Sequence, residues 1–367
     1  MLKLFWGIPF FIEREVREKL MKKNKTNQDV QEEKIMPIGG QAVIEGVMMR
    51  SPERIATAVR RMSGEVVLKI QEYQSLIQRR KWLNIPILRG AVTLIEVMIL
   101  GIRHLNFSAE VAMKDAEIVD RQKKKVKKSR KKKSKNKEGM SPISTFFTVT
   151  IALAIGIGLF FAFPLFVTTK LFNIEKDAFA FNLVAGSIRI ILFLGYIYLI
   201  SLMKDIKRLF RYHGAEHKTI FAFEAALPMD VENARVQGRL HPRCGTSFLV
   251  MVMLVSLIFF SILDSFIIMF HGNINLIIRL VTHIPLVPIV AGISYEAIKA
   301  SAKNPDHPVV KFFIAPGLTL QRITTQEPDD SMLEVAIIAL KAARNEEYEH
   351  LMPQPAAEVD VSSQSAA

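Results

Sequence analysis

Cysteine is nearly absent from this chain. Cys244 is the single one in 367 residues, which excludes an internal disulfide framework and fits a reducing compartment. Charge is missing from four long stretches. Residues 145–169 hold none, and 181–203, 245–270 and 272–295 hold one each: Arg189, Asp264 and Arg279. Acid is missing from 121–137, where 12 Lys/Arg carry nearly all of the net charge of +14. The basic character is therefore local, which argues against a fold-wide nucleic-acid surface. A secretory leader is not expected either. Leu4–Ile12 is apolar but short, and Glu13-Arg14-Glu15 follows without a small-residue cleavage site.

What is present is apolar sequence in blocks. Half of the residues are hydrophobic and 23% are charged, so the two kinds must be segregated. A bilayer core of ~30 Å takes about 20 helical residues, and only helices or closed barrels satisfy their backbone there. The expected fold class is an α-helical integral membrane protein with about four transmembrane helices and a small β-rich N-terminal cytoplasmic domain. Basic residues set the orientation. The 121–137 run precedes the first span, and the 204–244 loop holds eight Lys/Arg. Both termini and that loop are expected on the cytoplasmic side of a multi-pass protein of the cytoplasmic membrane.

The remaining segments divide by composition. Residues 1–35 are a charged N-terminal segment. The β-rich domain is placed at 36–84, with a glycine-flanked run at 39–50 and a hairpin across Met62-Ser63-Gly64. Residues 85–120 read as an amphipathic or interfacial helix. Its Arg89, Glu96 and Arg103 recur every seven positions, so a fifth span with a charged stripe stays open. A polybasic linker follows at 121–140, spans one and two at 141–203, the loop at 204–244 and spans three and four at 245–299. A cytoplasmic helical segment fills 300–352, with an S-x-x-E capping box at Ser331 and Glu334 and an apolar stripe of Leu333, Ile337 and Leu340. Residues 353–367 read as a disordered tail. Expected partners are membrane lipids, with anionic headgroups against 121–137. A homo-oligomer stays open. Nucleic acid is not expected, because no aromatic residue interleaves the basic run.

Chemistry concentrates in the 204–244 loop. His213, Glu216 and His217 fall at i, i+3 and i+4, one face of a helix. Two imidazoles one turn apart can grip one divalent metal ion, and H-x-x-E-H is the inverted zincin arrangement, in which the glutamate takes a proton from the attacking water. His241 and Cys244 form an H-x-x-C pair at the loop's end. The candidate ligands are thus His213, His217, His241 and Cys244, with Glu216 as general base and Arg239 and Arg243 as holders of an anionic substrate group. Mixed imidazole and thiolate donors favour zinc. Four ligands would make a closed structural site; three would leave a position for chemistry. A metal-dependent, hydrolytic membrane enzyme is the leading expectation, and a scaffold or assembly factor with a structural metal is the alternative. Arg189 and Asp264 raise a transporter reading, weakened by the absence of a visible internal repeat.

Four motifs carry a resemblance: G-G-Q-A-V-I-E-G-V-M-M-R-S-P at 39–52, H-G-A-E-H-K at 213–218, H-P-R-C-G-T-S-F at 241–248 and P-G-L-T-L-Q-R-I-T-T-Q-E-P-D-D at 316–330. Together they resemble domain-of-unknown-function family 1385, the YqhQ-like bacterial membrane proteins, over about residues 37–340. The resemblance implies a predicted metal-dependent enzyme without an assigned substrate. It adds Glu45, Arg50 and Arg89 to the residues of interest.

Overall fold

The computed structural model describes residues 38–126, 142–301, 304 and 307–353. The N-terminal charged segment, most of the polybasic run for which a lipid contact is expected, and nearly all of the tail lie outside the described residues.

Four strands form an antiparallel meander in the order β1 (Gly39–Val43), β2 (Gly46–Arg50), β3 (Arg54–Arg60) and β4 (Val66–Glu72). The glycine-flanked run is therefore two strands. They turn at Ile44-Glu45, with Val43 opposite Gly46 and Glu45 at φ 55°. Period-2 alternation divides the side chains between two faces. Val47, Met49, Ala56 and Ala58 point to one, and Val43, Met48, Ile55 and Val59 to the other.

Each face is covered by helix. A short helix α1 (Leu76–Arg79) leads to α2 (Leu88–Val126), which covers the second face with Leu100, Phe107 and Val111. There His104 Nδ1 meets Thr57 Oγ1 at 2.7 Å and Asp115 holds the Met62 amide at 2.8 Å. The first face carries two later helices, α5 (Lys204–Glu224) and α10 (Asp330–Ala343). Helix α10 is the centre of the soluble core: Leu333, Ile337 and Leu340 are buried, as their spacing required. Its cap differs from expectation. Asp329 accepts from the Met332 amide, Ser331 Oγ donates to Asp329, and Glu334 pairs with Arg60 at 2.8 Å. A carboxylate is a stronger acceptor than a hydroxyl, and Arg60 takes the glutamate that the box required.

Among the described residues, four helices are long and apolar enough to cross a membrane. They are α3, α4 (Ala178–Ser201), α7 (Gly245–His271) and α8 (Leu276–Ser301). Helix α3 runs as Pro142–Ile157, a π-helical turn Gly158–Ala162, and Phe163–Phe172. The break before α5 is sharp: α4 ends at Ser201, and Met203 caps α5 in extended conformation (ψ 134°). The helix re-aims there, so His213 is not lifted along a continued α4. Helix α6 (Val231–Arg235) and α9 (Pro308–Thr324) complete the chain.

The ionisable residues among these helices are bonded within the bundle, and Arg189 and Asp264 take separate partners. Asp264 accepts from Asn182 Nδ2 at 2.7 Å, meets His283 Nε2 at 2.8 Å and lies 3.3 Å from Arg279 Nε. Arg279 is 1% exposed, lies over the Phe181 ring and donates to the carbonyl of Glu175, in the loop between α3 and α4. Arg189 donates to the Phe160 carbonyl within the π-helical turn and to Ser256 Oγ.

Helix α2 joins this bundle to the sheet. Its first turn crosses α8 where Gly90 and Gly292 meet without side chains, and Arg89 binds Glu296 through two bonds of 2.6 and 2.5 Å. Among the charged stripe, Glu96 accepts from the Leu76 amide. A Cβ on Gly292 would collide with the Ile87 carbonyl oxygen. Gly292→Ala should therefore lower stability by about 1–3 kcal/mol. Gly156→Ala, with nothing within 4 Å of the new methyl, should be neutral or slightly stabilising. Thermal unfolding of the two variants in the same detergent checks the contrast.

Candidate metal centre

Helix α5 supplies the first half of the site. Its H-x-x-E-H spacing does place His213, Glu216 and His217 together, the two imidazole centroids 4.4 Å apart. The second half comes from the loop that ends at Cys244, the N-cap of α7. Cys244 Sγ lies 3.2 Å from His213 Nε2. Ligand atoms of His213, His217 and Cys244 all lie within 4.8 Å of one another. In a tetrahedral zinc site, bonds of ~2.0–2.1 Å to nitrogen and ~2.3 Å to sulfur separate such atoms by about 3.5 Å.

Both imidazoles are held by their outer nitrogens. His213 Nδ1 is 2.8 Å from the Thr324 carbonyl, and His217 Nδ1 is 2.5 Å from the Arg239 carbonyl. A carbonyl only accepts, so each Nδ1 carries the proton and each Nε2 presents its lone pair to the centre. The donor set thus fits a divalent metal in atom type, spacing and tautomer.

Glu216 completes the inner site. Its Oε2 lies 3.7 Å from His213 Nε2 and 3.9 Å from His217 Nε2. The side chain is buried beneath β1, and Gly40 makes room for it, since a Cβ there would meet Glu216 Cγ at 2.6 Å. Burial pushes its carboxyl above the usual carboxylate range, partly offset by His213 and His241. Burial also lowers the His217 pKa, keeping that ring neutral, with Cys244 opposing. His217 and Cys244 are buried; His213, at 15% side-chain exposure, is the most open ligand.

The other candidates lie around this core. His241 is 5.7 Å from His217 between centroids, but its Nδ1 accepts from the Arg243 amide and its Nε2 faces Glu224 at 3.4 Å. It therefore orders the loop and is not one of the three clustered ligands. Arg243 pairs with Glu224. Arg239 donates to the Thr325 carbonyl at 2.5 Å and lies 4.0 Å from Glu327. Both guanidinium groups thus have protein partners. Glu45 pairs with Arg208 and accepts from Tyr212 Oη at 3.4 Å, anchoring the start of α5 to the β1–β2 turn. Arg50 donates to Tyr73 Oη on the α2 side of the sheet, and Arg89 holds α2 to α8.

Spacing alone missed the residues that hold the ligands. Gln321 on α9 bonds both backbone groups of His241 and also Ser247 Oγ, at 2.7–2.8 Å. Thr324 supplies the carbonyl for His213. Lys218 is buried, bonding Glu327 at 2.6 Å and the Arg235 carbonyl at 2.8 Å. The 316–330 motif contains three of these residues, but no ligand-like spacing marks them.

The raised carboxyl of Glu216 has a consequence for stability in metal-free protein. The folded chain keeps a proton that the unfolded chain has lost, so stability falls as pH rises from the ordinary glutamate range through the raised value. Glu216→Gln should remove that slope and melt higher than wild type at neutral pH. Melting curves across pH in chelator check it.

Residues 85–346 match the family described as protein of unknown function DUF1385. The chain is also 36% identical over 312 residues to the uncharacterized protein YqhQ of Bacillus subtilis (strain 168), covering 82% of this chain and 89% of that protein. No solved structure matches. The family match takes in all four long apolar helices and every ligand of the candidate centre, so this chain belongs to the DUF1385 family.

Proposed function

We propose that the chain is a membrane-embedded, metal-dependent hydrolase whose centre lies at the cytoplasmic face. His213, His217 and Cys244 hold the ion, and the thiolate in the set favours zinc among divalent metals. The observation that carries this reading is the pair of imidazoles whose Nδ1 atoms are tied to backbone carbonyls, so that two Nε2 lone pairs converge with Cys244 Sγ. When bound, the ion supplies Lewis acidity and makes water a nucleophile near neutral pH.

Glu216 is the proton acceptor. Burial raises its affinity for a proton above that of an ordinary carboxylate, the direction general-base catalysis requires. His241 and Arg243 share Glu224 and order the turn that presents Cys244. Membrane insertion is supported by the four long apolar helices, and the orientation by the basic residues of 204–244.

The burial of His217, Glu216 and Cys244 favours a second reading, a structural metal that staples α5 to the start of α7 in a scaffold protein. Elemental analysis of protein purified without chelator tests the centre itself, and function of a Glu216→Gln variant separates the two readings. About one zinc per chain is expected, retained in Glu216→Gln and His241→Ala and lost in His217→Ala and Cys244→Ala. Loss of metal in His241→Ala would mean the ligand set is wrong. Glu216→Gln should also abolish function in a cell-based complementation assay; full complementation would leave only the staple.

A further inference from the structure

The candidate centre is built on the ends of elements that expose apolar surface. Cys244 caps α7, and the 27-residue α7 is longer than the about 20 residues a bilayer core takes, so a turn or two of surplus places Cys244 close to the hydrocarbon edge. The carbonyl that holds His213 ends α9. That helix packs on α7 where Gly317 meets Ser247, and it exposes Val309 and Phe312, the latter 72% accessible. Beyond the sheet contact, α2 exposes Ile95, Met98, Ile99 and Ile102, at i, i+3, i+4 and i+7, on the side away from buried Gly101 and His104. Its first turn is clamped to α8 by Gly90 and Arg89. Both helices pack on long apolar helices, α2 on α8 and α9 on α7, and Lys204 and Lys207 just past the end of α4 and Arg322 at the end of α9 stand exposed, as cations do at a headgroup layer.

We infer that α2 and α9 lie in the cytoplasmic leaflet beside the metal centre, and that the substrate is an anionic amphiphile whose headgroup reaches His213 while its chains stay in the membrane. The inference rests on the metal-centre reading above. A leaflet is the occupant the geometry favours over a second copy of the chain, because both helices pack on helices long enough to span and exposed cations stand where α4 gives way to α5 and at the end of α9. A water-soluble substrate would have no use for this apolar approach.

Two measurements on the full chain in lipid nanodiscs test it. First, Trp6 and Trp82 are replaced by Phe and single reporters introduced as Met98→Trp, Phe312→Trp and Met62→Trp. Brominated phospholipid should quench the first two and leave the third, at the sheet tip, unquenched. Absence of quenching at 98 and 312, including shielding by a second copy, overturns the inference. Second, cobalt-loaded protein is titrated with dodecyl phosphate and with inorganic phosphate while its visible spectrum is followed. Dodecyl phosphate should perturb the spectrum at a concentration about ten-fold lower or less, and Phe312→Ser should erase that difference without loss of cobalt. Cobalt bound but responding alike to both phosphates overturns the substrate class alone. Failure to bind cobalt overturns the metal reading and the substrate class with it.

Discussion

The site depends on one extended strap, the chain between α9 and α10. Its Gln326 amide donates to the Phe210 carbonyl of α5 at 2.9 Å, and its Gln326 carbonyl approaches so closely that residue 214 has no room for a side chain. The Glu327 carbonyl accepts from Arg211, the Glu327 carboxylate from Lys218, and the Thr325 carbonyl from Arg239. Thr324, just ahead, orients His213. An extended segment has unpaired backbone groups at each residue, and here α5 and the 239–244 loop use them. Two pieces of chain that would otherwise drift apart are thereby held at ligand distance.

The electrostatics of the two buried polar clusters differ in kind. Asp264 sits among groups that neutralise it: a guanidinium, an imidazole and an amide. Such a cluster fixes how α4, α7 and α8 pack, because leaving any member unpaired in an apolar interior costs several kcal/mol. Among the described residues Glu216 has no guanidinium or ammonium partner. Its nearest ionisable neighbours are the imidazoles of His213 and His217, at 3.7 and 3.9 Å. In the proposed metal-bound state, a divalent ion would supply positive charge there. Without it, the carboxyl's tendency to hold a proton is the compensation burial imposes.

The soluble part of the fold was legible where periodicity is strong. The stripe of Leu333, Ile337 and Leu340 marked a packed helix, and the alternation around Met62-Ser63-Gly64 marked a hairpin. The tight turn at Ile44-Glu45 was not legible, because Glu45 in left-handed conformation follows no turn preference. It is held there by Arg208 and by the Arg60 amide, both distant in sequence. Half of the metal set was equally plain, because i and i+4 on one helix must share a face. The choice between His241 and Cys244 was not, since both sit in a short turn whose direction depends on Gln321 and Glu224.

The sequence by itself determined the four long apolar helices, the sign and place of the charge and the shared face of His213, Glu216 and His217. Each follows from composition or from helical period alone. Only the tertiary structure decided which residue joins the two histidines, which nitrogen each ring presents and which partners satisfy Asp264. It also decided that Glu216 lies beneath a glycine of the sheet. Those outcomes depend on backbone carbonyls and close approaches between segments more than a hundred residues apart, such as His213 with Thr324 and Gly40 with Glu216. Contacts of that kind leave no period in the sequence, because they are set by how whole elements stack and not by the spacing of residues within one.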